Sequence, residues 1–183
     1  MKKNRREFIQ LSSLGFLSPL MSSVSISKSI ESENKKAVVN QPEDGEIFFV
    51  RENTPITIRV SKRRNSVDTI SLCTEEIQPD GKIPVHKHLH EDEFFIFHMG
   101  SGTIEIDSVE FPIKAGTAGW VPRDTWHSIT NNSSELLIFT FGYSPAGFED
   151  FFRQIGTAKG LPFKPKTRQE IISIAEKYGM VYK

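Results

Sequence analysis

Between residues 46 and 141 the chain consists of short apolar segments separated by turn-forming residues, and this pattern limits the fold more than any other feature. Proline, aspartate, asparagine and glycine cluster at residues 79–81, 114–116 and 131–133, where they favour turns. Ten strands are predicted, at residues 47–50, 56–60, 69–77, 84–88, 93–99, 103–106, 110–113, 117–121, 126–130 and 136–141. Many short strands at even spacing indicate a sandwich or barrel, and a small double-sheet jelly roll is the expected all-β architecture.

Two histidines stand two residues apart on one of these predicted strands. His86 and His88 therefore point to the same face, and Glu93 on the next strand can return to the same place. His127 supplies a third imidazole later in the chain. Three imidazoles and a carboxylate suit a divalent first-row metal ion. Structural zinc sites prefer cysteine thiolates, and the chain has a single cysteine, Cys73, outside this stretch.

These stretches resemble the two sequence motifs of the cupin family. The first family motif is G(X)5HXH(X)3–4E(X)6G, and His86, His88, Glu93 and Gly100 fit it, while Gly81 stands one residue too close. The second family motif is G(X)5PXG(X)2H(X)3N. This chain matches it at Gly116, Pro122, His127 and Asn131, with Asp124 in place of the middle glycine. Because aspartate tolerates a left-handed turn better than most residues, we expect the turn to be retained.

The resemblance implies a metal-dependent protein with a jelly-roll barrel at residues 46–143. His86, His88, Glu93 and His127 would bind one divalent transition metal, and Glu93 would also be the catalytic base. Strand alternation from Glu93 and His127 places Phe95, Phe97 and Ile129 on the inward face, where they would line the substrate. The same alternation places His98 on the outward face.

Two classes of function remain open at this point. One is a dioxygenase-like oxidoreductase that acts on a small aromatic or enolic substrate, and residues 145–152 resemble the tail of quercetin-dioxygenase-like cupins. The other is a non-catalytic module that binds a metal or a small molecule. Isomerase and decarboxylase chemistry also occurs among cupins, so the fold does not fix the reaction.

Residues 1–27 are predicted to be an export signal. Arg5, Arg6 and Phe8 resemble a bacterial twin-arginine signal and precede a weakly apolar run that is too short for an ordinary membrane span. We expect a periplasmic or exported protein with no stable membrane insertion after signal removal. Since such signals carry folded proteins, iron or manganese bound in the cytoplasm is favoured, although nickel, copper, cobalt and zinc also suit the ligands.

Composition narrows the choice of partner. The formal net charge is zero, with 23 basic and 23 acidic residues, so bulk charge gives no indication of nucleic acid binding. Residues 28–45 are polar and charged and are predicted to be a flexible lead-in. We expect a small-molecule substrate, and the sequence is compatible with a homodimer.

The last forty residues, 144–183, are predicted to form a helical extension. Ser144 and Pro145 are typical of a helix start, and Gly156 would end this first helix. Thr167 and Glu170 have the spacing of a capping box at the start of a second helix. Both helices carry an apolar stripe, which predicts packing against the barrel or a partner subunit.

Overall fold

The computed structural model describes residues 37–183. The predicted export signal, residues 1–27, and residues 28–36 of the predicted lead-in lie outside the described residues. The described end of the lead-in includes a turn in which the Asp44 amide donates to the carbonyl of Gln41. The Arg59 side chain donates to the carbonyls of Gln41 and Pro42 and so ties this turn to the barrel.

The described residues form a jelly roll of two antiparallel sheets, and all ten predicted strands are present. The strands are β1 Glu46–Arg51, β2 Thr54–Val60, β3 Leu72–Ile77, β4 Lys82–His88, β5 Asp92–Met99, β6 Ser101–Ile106, β7 Val109–Lys114, β8 Ala118–Val121, β9 His127–Thr130, β10 Leu137–Ser144, β11 Thr157–Ala158 and β12 Met180–Tyr182. One sheet has the order β11-β1-β2-β3-β10-β5-β8, and the other has the order β12-β4-β9-β6-β7. The predicted fold class is therefore confirmed.

Aromatic side chains from two neighbouring strands fill the core between the sheets. On β5 and β10 alternate residues point inward, so that Phe95 and Phe97 meet Phe139 and Phe141. The rings of Phe97 and Phe139 stack with their centroids 5.3 Å apart. Burying one such side chain stabilises the fold by roughly 1.5–3 kcal/mol, which makes this cluster a major part of the core.

Gly100, the last residue of the first sequence motif, connects two strands. Gly100 lies between β5 and β6 with φ at +80°, a left-handed conformation that other residues rarely adopt. A Cβ atom at this position would clash with the carbonyl oxygen of Leu136. The motif glycine is therefore required by backbone conformation and by close packing.

The C-terminal region forms the two predicted helices, α2 Asp150–Ile155 and α3 Arg168–Lys177. The predicted start of the first helix at Ser144 is wrong, because Ser144 still belongs to β10 and Gly147 adopts a positive φ of 139°. Gly156 ends α2 as predicted, and the capping box of Thr167 and Glu170 at α3 is confirmed.

A short helix, α1 Lys62–Asn65, follows β2. Ser61 caps it by accepting a hydrogen bond from the Arg64 amide, and its basic side chains remain largely exposed. Among residues 37–183 no helix has both the length and the apolar character needed to cross a membrane.

Candidate metal centre

The four predicted ligands come from strands of both sheets. His86 and His88 lie at the end of β4, and His127 begins β9, its antiparallel neighbour, directly opposite His86. Glu93 lies at the start of β5 in the other sheet, opposite Tyr143 of β10. The alternation of β4 turns both histidines inward, as expected from the two-residue spacing, and all four side chains are buried.

One candidate ligand atom from each of these four residues lies within 4.8 Å of the other three. The Nε2 atom of His127 lies 2.8 Å from Oε2 of Glu93, and Nε2 of His88 lies 3.3 Å from the same oxygen. The ring centroids of His86 and His127 are 4.3 Å apart. Four donors from distant parts of the chain therefore converge on a single point.

Backbone carbonyls fix the orientation of two of the imidazoles. Nδ1 of His86 donates to the carbonyl of Pro84 at 2.8 Å, and Nδ1 of His127 donates to the carbonyl of Thr125 at 3.0 Å. In both residues Nε2 is then the atom that faces the cluster. Such a hydrogen bond from the second ring nitrogen is typical of metal-binding histidines, since it sets the tautomer and the ring angle.

His88 provides the test of whether the cluster fits a metal ion. Both of its ring nitrogens are buried, and neither has a hydrogen-bond partner among the described residues. The contact of Nε2 with Glu93 at 3.3 Å lacks the geometry of a hydrogen bond. An orphaned buried nitrogen is costly, and a divalent ion among the four donors would satisfy it. The residues present therefore fit a metal ion.

Burial and the neighbouring cluster residues shift the pKa values of Glu93, His127 and His86. Burial would raise the pKa of Glu93, but the hydrogen bond from His127 and the contact with His88 lower it well below its usual range. Burial would lower the pKa of His127, but the bond to Glu93 raises it. Burial and the neighbouring His127 and His88 lower the pKa of His86 to about 3, so its Nε2 lone pair is available.

The turn before His127 is retained despite the missing motif glycine. Asp124 adopts φ of 63°, which confirms that aspartate takes the left-handed conformation here. Its amide donates to the carbonyl of His88 at 2.6 Å, and its carboxylate pairs with Lys87 at 2.6 Å. Asp124 thus ties the loop that carries His127 to the strand that carries His88.

A cavity of about 420 Å³ opens beside the cluster, and His86, Glu93 and His127 form part of its wall. This volume lies in the range of small-molecule sites. Much of the wall comes from the C-terminal region, including Phe148, Phe152 and residues of α3. Phe148 also packs edge-on against the His88 ring at 4.3 Å, so the extension helps to position a candidate ligand.

Two of the three residues predicted to contact substrate lie on the cavity wall. Phe95 and Ile129 are wall residues. Phe97 is not on this wall: it lies one strand repeat beyond Phe95, and its ring packs against the rings of Phe95 and Phe139. Glu75, a buried acidic residue of β3, is on the wall and was missed. Its alternation with Cys73 and Ile77 is the sequence signal that it points inward.

Comparison with known proteins agrees with this architecture. Residues 73–143 match the family model described as the cupin domain. Over 78 residues the chain is 36% identical to the dimethylsulfoniopropionate lyase DddW of Ruegeria pomeroyi. The aligned segment covers 43% of this chain and 50% of the lyase. The chain thus spans about half the length of this curated relative.

Solved structures show the same fold. Oxalate decarboxylase of Lactobacillus farciminis, in a formate complex, superposes with a TM-score of 0.51 at 27% identity, covering 57% of this chain and 32% of that one. KdgF from a Halomonas species superposes with a TM-score of 0.55 at 13% identity, covering 63% of this chain and 99% of that one. The second likeness shows the fold alone.

Proposed function

We propose that this protein is a metal-dependent cupin enzyme that acts on a small organic molecule in the cavity beside His86, His88, Glu93 and His127. The observation that carries the proposal is the convergence of these four buried donors on one wall of a cavity that can hold a small molecule. A module that only stores a metal would need the same donors but no cavity. A module that binds a small molecule would share both features, so measured turnover is what separates it from an enzyme.

The residues of the chain have separate roles in this proposal. A bound divalent ion would act as a Lewis acid toward an oxygen atom of the substrate. His86, His88, Glu93 and His127 would hold it, with the rings of His86 and His127 fixed by their Nδ1 hydrogen bonds. The apolar wall excludes water and strengthens polar interactions inside. Glu93 is the carboxylate of the cluster and would accept a proton from a substrate bound there.

A dioxygenase-like reaction on a small aromatic or enolic substrate is one candidate. The aromatic wall supports it, because Phe95, Phe139 and Phe148 line the cavity and their rings would pack against a flat molecule. Iron or manganese would be the suitable ion for oxygen-dependent chemistry. Substrate oxygens would face the histidine cluster while the ring of the substrate lies against these side chains.

A lyase reaction is a second candidate, and a specific observation favours it. The curated relative with 36% identity is a dimethylsulfoniopropionate lyase. An elimination needs a base next to the substrate and no oxygen, and the cavity contains two carboxyl groups, those of Glu93 and Glu75. This reaction would use the same metal cluster with any ion that binds the substrate carboxylate.

One experiment separates these possibilities. The purified protein is loaded in turn with iron, manganese and zinc, and oxygen uptake is recorded with flavonols and catechol-like compounds. In parallel, loss of dimethylsulfoniopropionate is followed by NMR without oxygen. Oxygen uptake supports the dioxygenase, and anaerobic substrate loss supports the lyase. The His88→Ala protein is the control. If no metal-loaded sample turns over any compound, the protein is a binding module and the proposal is wrong.

A further inference from the structure

Glu75 lies on the cavity wall at a distance from the metal cluster. On β3 it is opposite Phe139 of β10, whereas Glu93 is opposite Tyr143, four residues further along β10. At about 3.3 Å per residue this separates the backbone positions of the two residues by roughly 13 Å along the strand direction. Glu75 is therefore placed to contact the end of a cavity ligand that is remote from His86 and Glu93.

The carboxyl group of Glu75 lacks a close partner among the described residues. Glu75 is 4% exposed, and its nearest cation is Nη1 of Arg51 at 3.9 Å, beyond hydrogen-bond distance. The Arg51 side chain is 44% exposed and also lines the cavity. A buried carboxyl without hydrogen bonds is costly to the fold, and a cavity ligand that donates a hydrogen bond would satisfy it.

Tyr182 connects this region to the metal cluster. It lies on β12, opposite His86 of β4, and the two rings are 6.2 Å apart. Burial raises the pKa of Tyr182 to about 12, with smaller opposing effects from Arg51 and Glu75. His86, Tyr182, Glu75 and Arg51 all line the same cavity.

We propose that Glu75 and Arg51 form a second polar subsite, which binds a hydroxyl group at the end of the substrate remote from the metal ligands. A hydroxyl suits both residues, because it donates to the carboxylate and accepts from the guanidinium. The wall beside Glu75 carries Phe139 and Phe141, which fit an apolar or aromatic middle of the molecule. This inference rests on the proposed function, since the metal cluster holds the other end of the substrate.

The subsite also predicts selectivity. A molecule without the hydroxyl would leave the Glu75 carboxylate buried and unpaired, and sites of this kind reject such analogues strongly. Burial raises the pKa of Glu75 to about 7, an effect that Arg51 only partly offsets and Glu93 increases. The carboxylate form is then the main species at mildly alkaline pH, where the hydroxyl preference is greatest.

The test uses the full protein loaded with cobalt(II), whose visible spectrum reports carboxylate binding to the ion. Dissociation constants are measured at about pH 8 for two probe pairs of different length: 4-hydroxybenzoate with benzoate, and 4-hydroxycinnamate with cinnamate. The expected result is that one hydroxylated probe binds at least about tenfold more tightly than its partner, as for a hydrogen bond to a charged group. Glu75→Leu should abolish this difference.

The control is Glu76→Leu, because Glu76 lies on the same strand and faces the opposite side. It should keep the hydroxyl preference. Glu75→Gln provides a second variant if the leucine protein fails to fold, and it should reduce the preference. If no acid alters the cobalt spectrum, the proposed function fails and this inference fails with it. If the acids bind the ion but neither pair differs, or the difference survives both Glu75 variants, the subsite alone is overturned.

Discussion

At the scale of single residues, His88 separates metal binding from ordinary core packing. Both of its nitrogens are buried without hydrogen bonds, and a bound ion would satisfy Nε2, the nitrogen that faces Glu93. We expect His88→Ala to lower bound metal at least about tenfold, since loss of one ligand leaves three donors. Elemental analysis of the purified protein after dialysis measures this. His98→Ala is the matched control, because His98 is exposed and bonds to Thr140. Equal metal content in both variants would contradict the assignment.

Glu75 makes the stability of the protein depend on pH. Its pKa rises from 4.5 in the unfolded chain to about 7 in the fold, mainly through burial. The folded protein therefore binds more protons between these values, and stability falls as pH increases from about 4.5 to 7. Above pH 7 the unfavourable contribution reaches about 3 kcal/mol.

Glu75→Gln removes this titration. We expect the variant to gain free energy of unfolding over the original protein at about pH 8, with a smaller gain at about pH 5. Urea denaturation at the two pH values measures the gain, and Glu76→Gln is the control on the opposite face of β3. A gain of the same size at both pH values would show that Glu75 does not titrate in this range.

At the scale of elements, the turn at Asp124 tests how the second motif tolerates its missing glycine. Asp124 has φ of 63°, where a β-branched residue is strained by roughly 1–2 kcal/mol. Asp124→Gly relieves the strain but loses an exposed ion pair with Lys87, so we expect it to be close to neutral. Asp124→Val should unfold at lower urea than Asp124→Gly. Identical midpoints would mean that the turn rearranges without cost.

The strands could be predicted because alternating apolar residues and turn residues mark each of them. The ligand cluster could be predicted because the two-residue spacing places His86 and His88 on the same face of β4. Other features depend on tertiary packing. The strands β11 and β12 have two and three residues and form by pairing with β1 and β4, so no periodic signal precedes them. Phe97 points inward as the strand alternation predicts, but its ring stacks on Phe139 in the core and does not line the cavity.

At the scale of the whole molecule, export remains a prediction from Arg5 and Arg6, which lie outside the described residues. Replacing both arginines with lysine should block the twin-arginine route, so that full-length precursor accumulates in the cytoplasm. Fractionation of cells followed by immunoblotting measures this. Lysine carries the same positive charge as arginine, so charge is matched between the two proteins. Normal periplasmic accumulation of the variant would exclude this route.

The C-terminal extension and the metal cluster are joined through Phe148. This residue is buried, packs against His88 and Tyr143, and lies on the cavity wall. Phe148→Ala should lower the free energy of unfolding by about 3–5 kcal/mol, as for other buried aromatic residues. It should also weaken metal binding, because the His88 ring loses the neighbour that orients it.

The stability and the metal affinity of the Phe148→Ala protein can be measured on one preparation. Urea denaturation with and without metal measures the first, and competition for the ion with a chelator dye measures the second. Phe111→Ala is the matched control, since Phe111 is a half-exposed phenylalanine on β7, away from the extension. We expect it to change unfolding by less than about 1 kcal/mol and leave metal affinity unchanged. If Phe148→Ala lowers stability but retains full metal affinity, the extension covers the barrel without organising the site. Deletion of residues 144–183 would then leave the ligand cluster functional wherever the shortened barrel still folds.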